Sequence, residues 1–261
     1  MMAQSTYKER VAKQFSKHAQ HYDDIAQIQL EIGFDAVQQI HQSGGLALDI
    51  GSGTGRLTSL LCNHFDQVIG VDISSGMVSF AQQKYAQAKH LQFIHGDAEA
   101  LPVDENSVDF VFSSMTLQWC NPLNKSLCEV MRVLRPGGQA LLVIMGQNSM
   151  HELRSSWADI DPHPRVNQFA TPMHLLEQAR EAGFTVDVEQ KNYVSWHADI
   201  SHLLNSIRQV GASSVSNNHP GQPLTRHRLM QLASVYSEKF ASNGQLPLTY
   251  NLIYLTLTKD L

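Results

Sequence analysis

Residues 46–56, Leu-Ala-Leu-Asp-Ile-Gly-Ser-Gly-Thr-Gly-Arg, constrain the fold of this chain more than any other stretch. An apolar run breaks into three alternate glycines, which predicts a buried strand, a tight turn and the start of a helix. Alternate glycines let a backbone approach a ligand closely, and the helix that follows offers it unpaired N–H groups. A nucleotide-like ligand suits such a cradle, although a plain strand-to-helix turn has the same local pattern. The dinucleotide fingerprint G-x-G-x-x-G is not met, because the sixth position counted from Gly51 is Arg56. No Lys-Ser or Lys-Thr pair follows the last glycine, so a phosphate-binding P-loop is excluded too. What remains is an acidic residue, Asp49, just ahead of Gly51, Gly53 and Gly55.

The rest of residues 46–145 repeats the theme of short apolar runs alternating with helical patterns, as in a parallel sheet covered on both faces. Strands are predicted at Val68–Asp72, Leu91–His95, Val108–Phe112 and Ala140–Ile144, with helices at about 77–86 and 123–134. The second helix should stop at the glycine turn Arg135-Pro-Gly-Gly138. Two strand ends carry carboxylates. Asp72 can accept hydrogen bonds from both hydroxyls of a ribose, or can cap the following helix in Asp-Ile-Ser-Ser. Asp97 closes the next strand.

Before the first strand, residues 6–20 and about 25–40 have helical spacing, and helices placed there either cross the sheet edge or cover its ligand mouth as a lid. We therefore divide the chain into a helical lid, residues 1–43, and a main domain, residues 44–261. Beyond Gly146 the alternation fails. Helices at 151–159, 172–183, 199–210 and 225–241, a polar loop at 213–223, a strand at Phe184–Val188 and a final strand at Pro247–Leu257 are expected. Residues at about 147–172 and 198–246 read as insertions on the ligand side.

The 261 residues, 43% of them hydrophobic, suffice for one large domain with additions. A net charge of −5 argues against general nucleic-acid affinity. Residues 191–261 nevertheless hold six Lys/Arg against three Asp/Glu, which fits an anionic partner as well as ordinary scatter. No apolar run approaches the roughly 18–20 residues that span a membrane, and Lys8, Glu9, Arg10 and Lys13 interrupt any signal core, so a cytoplasmic protein is expected. Cys62, Cys120 and Cys128 form no C-x-x-C pair, and His151-Glu152 meets Ser155 where H-E-x-x-H needs histidine. Neither a disulfide framework nor a metal site is indicated.

Asp49 followed by Gly-Ser-Gly-Thr-Gly resembles the first motif of the class I S-adenosylmethionine-dependent methyltransferases. The resemblance implies a Rossmann-like α/β fold, a seven-stranded mostly parallel sheet with an antiparallel last strand. It also implies S-adenosylmethionine as cofactor, held by Asp49, Gly51, Gly53, Gly55, Asp72, Ile73, Met77, Asp97, Ala98, Ser113 and Gln118. In that scheme Asp97 meets the adenine amino group, a donor facing an acceptor, while Met77 and Ala98 pack on the ring.

Further segments narrow the likeness. Val11-Ala-Lys-Gln-Phe15, His21-Tyr-Asp23, Leu117-Gln-Trp-Cys120, Glu152-Leu-Arg-Ser-Ser-Trp157, Asn167-Gln-Phe169, Val210-Gly-Ala212 and Pro247-Leu-Thr-Tyr250 together resemble the BioC family of biotin synthesis. That family methylates the free carboxyl of malonyl-acyl carrier protein, and the likeness covers nearly the whole chain. One departure is Arg208, where lysine is expected in some relatives. The implied nucleophile is a carboxylate, already ionised at neutral pH, so no general base is assigned. Tyr22 would close over the cofactor as a positioning group, and Phe15, Trp119, Arg154, Trp157, Arg165 and Arg208 would bound the acceptor. Trp119 reads equally as core, and each arginine equally as a surface ion pair. Lys13, Lys17, Arg226 and Arg228 are candidate contacts for an acidic carrier protein. Two other functions share the cofactor motifs: a quinone- or sterol-type small-molecule methyltransferase, and a non-catalytic S-adenosylmethionine-binding protein.

Overall fold

Each short apolar run of residues 46–145 forms a strand, and two long strands follow. They are β1 (Leu46–Ile50), β2 (Gln67–Asp72), β3 (Leu91–His95), β4 (Val108–Ser114), β5 (Leu134–Met145), β6 (Thr185–His197) and β7 (Leu246–Thr258). The computed structural model describes residues 7–120, 122–161, 163, 165–210 and 224–261. The sheet order is β3-β2-β1-β4-β5-β7-β6; β1 to β5 pair in parallel, and β7 lies antiparallel to both β5 and β6. The strand order reverses at β1, between β2 and β4, which opens a crevice at the carboxyl ends of these strands. The Gly51 turn sits in that crevice.

Alternation along the strands feeds two cores. Phe110, Phe112, Leu141 and Val143 face α3 (Gln27–Val37), α4 (Arg56–Leu61), α7 (His151–Ala158) and α10 (Arg226–Phe240) through Ile32, Val37, Leu61, Trp157 and Tyr236. Val111, Leu142 and Ile144 face α6 (Leu123–Val133) and α8 (Pro172–Glu181) through Leu127, Val130 and Leu175. The remaining helices are α1 (Tyr7–His18), α2 (Tyr22–Ile25), α5 (Ser75–Lys84) and α9 (Ile200–Gln209). Helix α5 begins where the Ser74 hydroxyl accepts the Met77 N–H.

Three expectations are corrected. The helix expected at 25–40 is split at Ala26 into α2 and α3, because the two parts bury against different things. Asp23 of α2 binds Thr54 and Lys84 at the crevice, whereas Ile32, Ala36 and Val37 of α3 sit in the core. Helices α1 and α2 cover the crevice. Helix α3 is a layer of the main domain despite preceding residue 44, and its Gln29 and Leu30 reach the crevice as well. The Tyr193 hydroxyl even reaches back to Asp35 at 2.8 Å, tying β6 to α3.

Arg135-Pro-Gly-Gly138 is not a free turn but the irregular start of β5. Gly137, at φ +76°, donates to the Lys259 carbonyl, and Lys259 donates to the Gly138 carbonyl, so the end of the chain pairs with it. Strand β6 runs nine residues past the expected Val188. Apart from the buried Tyr193 it is exposed or half-buried along its length, and it extends because all 13 of its residues pair with β7. Gly211-Ala212 of the family resemblance and the loop expected at 213–223 lie outside the described residues.

Candidate active site

The crevice deepens into a cavity walled by the glycine turn, the ends of β1, β2 and β4, and helices α1, α2 and α3. Gly51 is left-handed at φ +80°, and its N–H and that of Ser52 both bond the Val71 carbonyl, at 2.7 and 3.1 Å. A Cβ on Gly51 would lie 2.0 Å from the Thr116 hydroxyl. Gly53, also left-handed, would point a Cβ at open space, and its N–H donates to Asp72 Oδ2 at 2.9 Å. Asp72 Oδ1 accepts the Ser74 N–H at 2.7 Å, so backbone donors fix the carboxylate and each oxygen keeps a lone pair for a hydroxyl. Burial raises the Asp72 pKa, while these two N–H groups oppose the rise. Ser74, not Asp72, caps α5.

Of the residues expected to hold the cofactor, Gly51, Gly53, Asp72, Ile73, Met77, Asp97, Ala98 and Gln118 line this one cavity. Asp49, Gly55 and Ser113 do not, and each has another task. Asp49 is sealed beneath the turn, its Oδ2 accepting from the Thr58 hydroxyl at 2.6 Å. Burial pushes its pKa up to about 7, the Thr58 bond pulls it down, and the nearby charge of Asp72 adds to the rise. Gly55, at φ +79°, starts α4 and leaves room for Phe93 and Tyr85. The buried Ser113 hydroxyl donates to the Ile50 carbonyl, and its neighbour Ser114 faces the cavity instead. Alternation along β4 decides which serine is outward, a distinction that depends on register.

At the far end Asp97 accepts the Glu99 N–H through Oδ1, and Oδ2 is held at 2.7 Å by Lys8, which also meets Glu99 at 2.9 Å. Lys8 belongs to α1, so this ion pair ties the covering helix to the cradle. A second tie is Ser16 to Ser74, 2.7 Å apart. The third is Asp23, which receives the Thr54 hydroxyl and the Lys84 ammonium, both at 2.6 Å. These ties hold Tyr22 and Phe15 in the cavity wall, rings 6.2 Å apart, with Phe15 edge-on to Trp119 at 6.2 Å. Burial pushes the Tyr22 phenol up, and the charges of Asp72 and Asp23 add to it, so it stays protonated and is no base.

Sequence reasoning missed Lys8, Ser52, Thr54, Arg56, Thr116 and Tyr250 in the lining. Ser52 and Thr54 could have been found as the residues between the glycines. Lys8 comes from the start of the chain and carries no local signal, whereas Tyr250 ends the Pro247-Leu-Thr-Tyr250 segment of the family resemblance but was given no role. Two buried polar atoms in this wall, Gln29 Oε1 and Ser52 Oγ, have no hydrogen-bond partner among the described residues. Such orphans, with the open space over Gly53 and the ready acceptors of Asp72, fit a nucleoside-bearing ligand of the S-adenosylmethionine kind.

Two of the three inserted arginines expected at the acceptor, Arg154 and Arg165, are engaged elsewhere. Arg154 donates to the Gln147 and Ser149 carbonyls, at 2.9 and 2.7 Å, and braces the turn before α7. Arg165 binds Asp161 through Nε and Nη2 and lies 5.2 Å over the Trp157 ring. Trp157 is core, and Arg228 also bonds Asp161, at 2.9 Å. Asp161 thus gathers two arginines and His163, which hold its carboxyl well below the usual range. None of Arg154, Trp157, Arg165 and Arg228 lines the cavity: the arginines are held by the Gln147 and Ser149 carbonyls and by Asp161, and Trp157 is buried in the core. Arg208 is exposed on α9 with Asn205 Oδ1 at 3.2 Å, but Ile207 and Val210 beside it line the cavity. Lys13, Lys17 and Arg226 are exposed or half-buried on α1 and α10.

Residues 48–142 match the family described as Methyltransferase domain. The fold is similar to that of the YcgJ protein of Bacillus subtilis, with a TM-score of 0.64 at 17% identity over 88% of this chain and 98% of that one. The biotin biosynthesis bifunctional protein BioHC of Cellvibrio japonicus is 35% identical over 99% of the chain, which spans 51% of that relative's length. The malonyl-acyl carrier protein O-methyltransferase of Herminiimonas arsenicoxydans is 34% identical over 97% of this chain and 96% of its own. With a cavity built at the switch point of such a sheet and a relative matched nearly end to end, this chain belongs to the malonyl-acyl carrier protein O-methyltransferase family.

Proposed function

We propose that this protein transfers a methyl group from S-adenosylmethionine to the free carboxylate of malonyl-acyl carrier protein, giving the methyl ester that enters synthesis of the biotin precursor. The end-to-end relatedness to the Herminiimonas arsenicoxydans enzyme carries this reading. When bound, S-adenosylmethionine supplies an electrophilic sulfonium methyl. Asp72 would receive the ribose hydroxyls, Gly51 and Gly53 would admit the cofactor backbone, and Asp97, with Ala98 and Met77, would meet the adenine. An acceptor carboxylate titrates near pH 4 and is ionised at neutral pH, so the chain needs no base. Its task is alignment and exclusion of water, for which effective molarities allow roughly 7–11 kcal/mol of barrier lowering.

The wall of Tyr22, Phe15 and Trp119 performs that task, and the ties of Lys8, Ser16 and Asp23 keep it shut. Of the three inserted arginines, Arg208 is the one we assign to the malonyl carboxylate, since its neighbours line the cavity and its fork holds only Asn205 among the bonds described. Lys13, Lys17 and Arg226 are our docking contacts for the carrier; Arg228 is committed to Asp161. A cytoplasmic setting is part of the proposal, and no described helix is long and apolar enough to cross a membrane.

Transfer of labelled methyl from S-adenosylmethionine is the test. Label is expected on malonyl-carrier protein and not on free malonate. Methylation of a phenolic acceptor but never of the malonyl thioester would assign a small-molecule methyltransferase. Tight cofactor binding without turnover on any thioester would assign a non-catalytic role.

A further inference from the structure

A second cavity adjoins the first, between α1, the 3-10 turn Leu117–Trp119, the end of β5 and α8. Lys8, Gln118, Trp119, Cys120 and Met145 line both, so shared side chains stand between the two. Lys8 is the one Lys, Arg, Asp or Glu in its lining among the described residues, and Asp97 and Glu99 already pair with it. The cavity therefore does not suit a phosphate or another anion. Leu117, Leu123, Ile144 and Phe169 give it apolar walls.

Polar side chains interrupt those walls, Asn167, Gln168 and His174 among them, and two acceptors stand out. The amide oxygens of Gln118 and Gln178 are shut off from solvent and have no hydrogen-bond partner among the described residues. The Gln118 amide cannot simply be turned round, because its Nε2 donates to the Met115 carbonyl at 2.6 Å. Buried acceptors without donors are costly, and a ligand that brings N–H groups relieves them. The complementary molecule is a neutral, flexible chain of methylenes carrying secondary amides.

We propose that the second cavity receives the pantetheine arm of the acyl thioester, with Gln118 and Gln178 accepting from its two amide N–H groups. This rests on reading the methyl acceptor as a malonyl thioester. The arm is uncharged along its amide stretch, its methylenes match the apolar walls, and its two amides match the two orphaned oxygens. The shared wall at Gln118 and Trp119 brings the thioester end beside the cofactor cavity, where the malonyl carboxylate must arrive. The cavity thus measures the acceptor by its arm, whether a carrier protein or coenzyme A delivers it.

Calorimetric binding tests this without turnover, using malonyl-pantetheine with two amides, malonyl-N-acetylcysteamine with one and a malonyl S-ethyl thioester with none. Gln178→Leu removes the acceptor and keeps the volume and the helix propensity. It is expected to weaken malonyl-pantetheine about tenfold, the effect of one lost hydrogen bond, and to leave the S-ethyl thioester unchanged. Unaltered S-adenosylmethionine affinity and thermal midpoint verify that the variant is folded. Ala170→Trp, which fills the cavity, is expected to abolish the preference for the long arm. Equal malonyl-pantetheine affinity in wild type and Gln178→Leu, or equal loss for all three thioesters, overturns the proposal. Methyl transfer by the wild type is read separately, so loss of the acceptor assignment shows there and loss of the arm's placement shows here. Repeating the comparison with malonyl-coenzyme A and malonyl-carrier protein tells which source delivers the arm.

Discussion

Gly51 and Gly53 stand two residues apart in the same motif, yet alanine at each should fail differently. Both are left-handed, at φ +80° and +53°, so either substitution carries about 1–2 kcal/mol of backbone strain. At Gly51 the new Cβ also meets Thr116: Oγ1 at 2.0 Å, Cγ2 at 2.3 Å and Cβ at 2.6 Å. The last distance means that no rotamer of Thr116 relieves the contact. Overpacking of that kind costs about 1–3 kcal/mol more. Gly51→Ala should therefore lose about 2–5 kcal/mol of folding stability, and Gly53→Ala only about 1–2. Thr116→Gly in the Gly51→Ala background should restore part of the loss, whereas Thr116→Ala, which keeps the offending Cβ, should not.

Binding should reverse the order of interest. The Gly53 Cβ has nothing within 4 Å and opens on the cavity, so it would occupy ligand space. Gly53→Ala is expected to weaken S-adenosylmethionine by about 1–3 kcal/mol, or about 5- to 150-fold, by the same overpacking logic. Urea denaturation and titration calorimetry on the two variants measure both quantities. If Gly51→Ala proves as stable as Gly53→Ala, the contact argument is wrong. If Gly53→Ala binds like the wild type, the cofactor does not pass over Gly53.

Asp72→Asn exchanges one acceptor for a donor that faces the N–H of Gly53 or Ser74, and removes the charge offered to the ribose. Cofactor affinity should fall by about 1–3 kcal/mol in calorimetry, and an unchanged dissociation constant would take Asp72 out of the site. Asp49 provides a pH signature. Its pKa rises from the ordinary 3.8 to about 7 in the folded protein, which therefore keeps a proton that the unfolded chain has released. Its contribution to stability is intact below pH 3.8, is lost as pH climbs through that window, and levels off above about 7. By linkage the loss is at most about 4 kcal/mol, and Asp49→Asn should flatten the curve of denaturation midpoint against pH relative to wild type. Parallel curves for the two proteins would show that Asp49 titrates normally.

The sheet from β1 to β5 was readable because strands buried on both faces must be continuous apolar runs, and helices between them must punctuate those runs. The glycine motif was readable for a related reason: only glycine tolerates left-handed backbone at so many adjacent positions. The outer half of β6 was not readable, since the adjacent Tyr193 and Val194 put apolar side chains on both faces without clean alternation, and the strand exists by pairing with β7. The single helix expected at 25–40 failed because one periodicity cannot tell that Asp23 would be drawn to Thr54 and Lys84 while Ile32 sank into the core.

Local order in the chain determined that a turn of three glycines would sit at the end of a buried strand, that carboxylates would stand at the ends of β1, β2 and β3, and that helices would precede the sheet. Those are properties of dihedral freedom and of period, which act between near neighbours. Tertiary structure decided which carboxylate faces the ligand. Asp49 and Asp72 look alike in sequence, but Thr58 seals one under the turn and the N–H groups of Gly53 and Ser74 hold the other open to the cavity. It decided the cations as well, committing Arg154 to carbonyls and Arg165 and Arg228 to Asp161, and bringing Lys8 from the start of the chain to Asp97. A charge finds its partner through space, and the sequence separation between Lys8 and Asp97 holds no trace of that meeting.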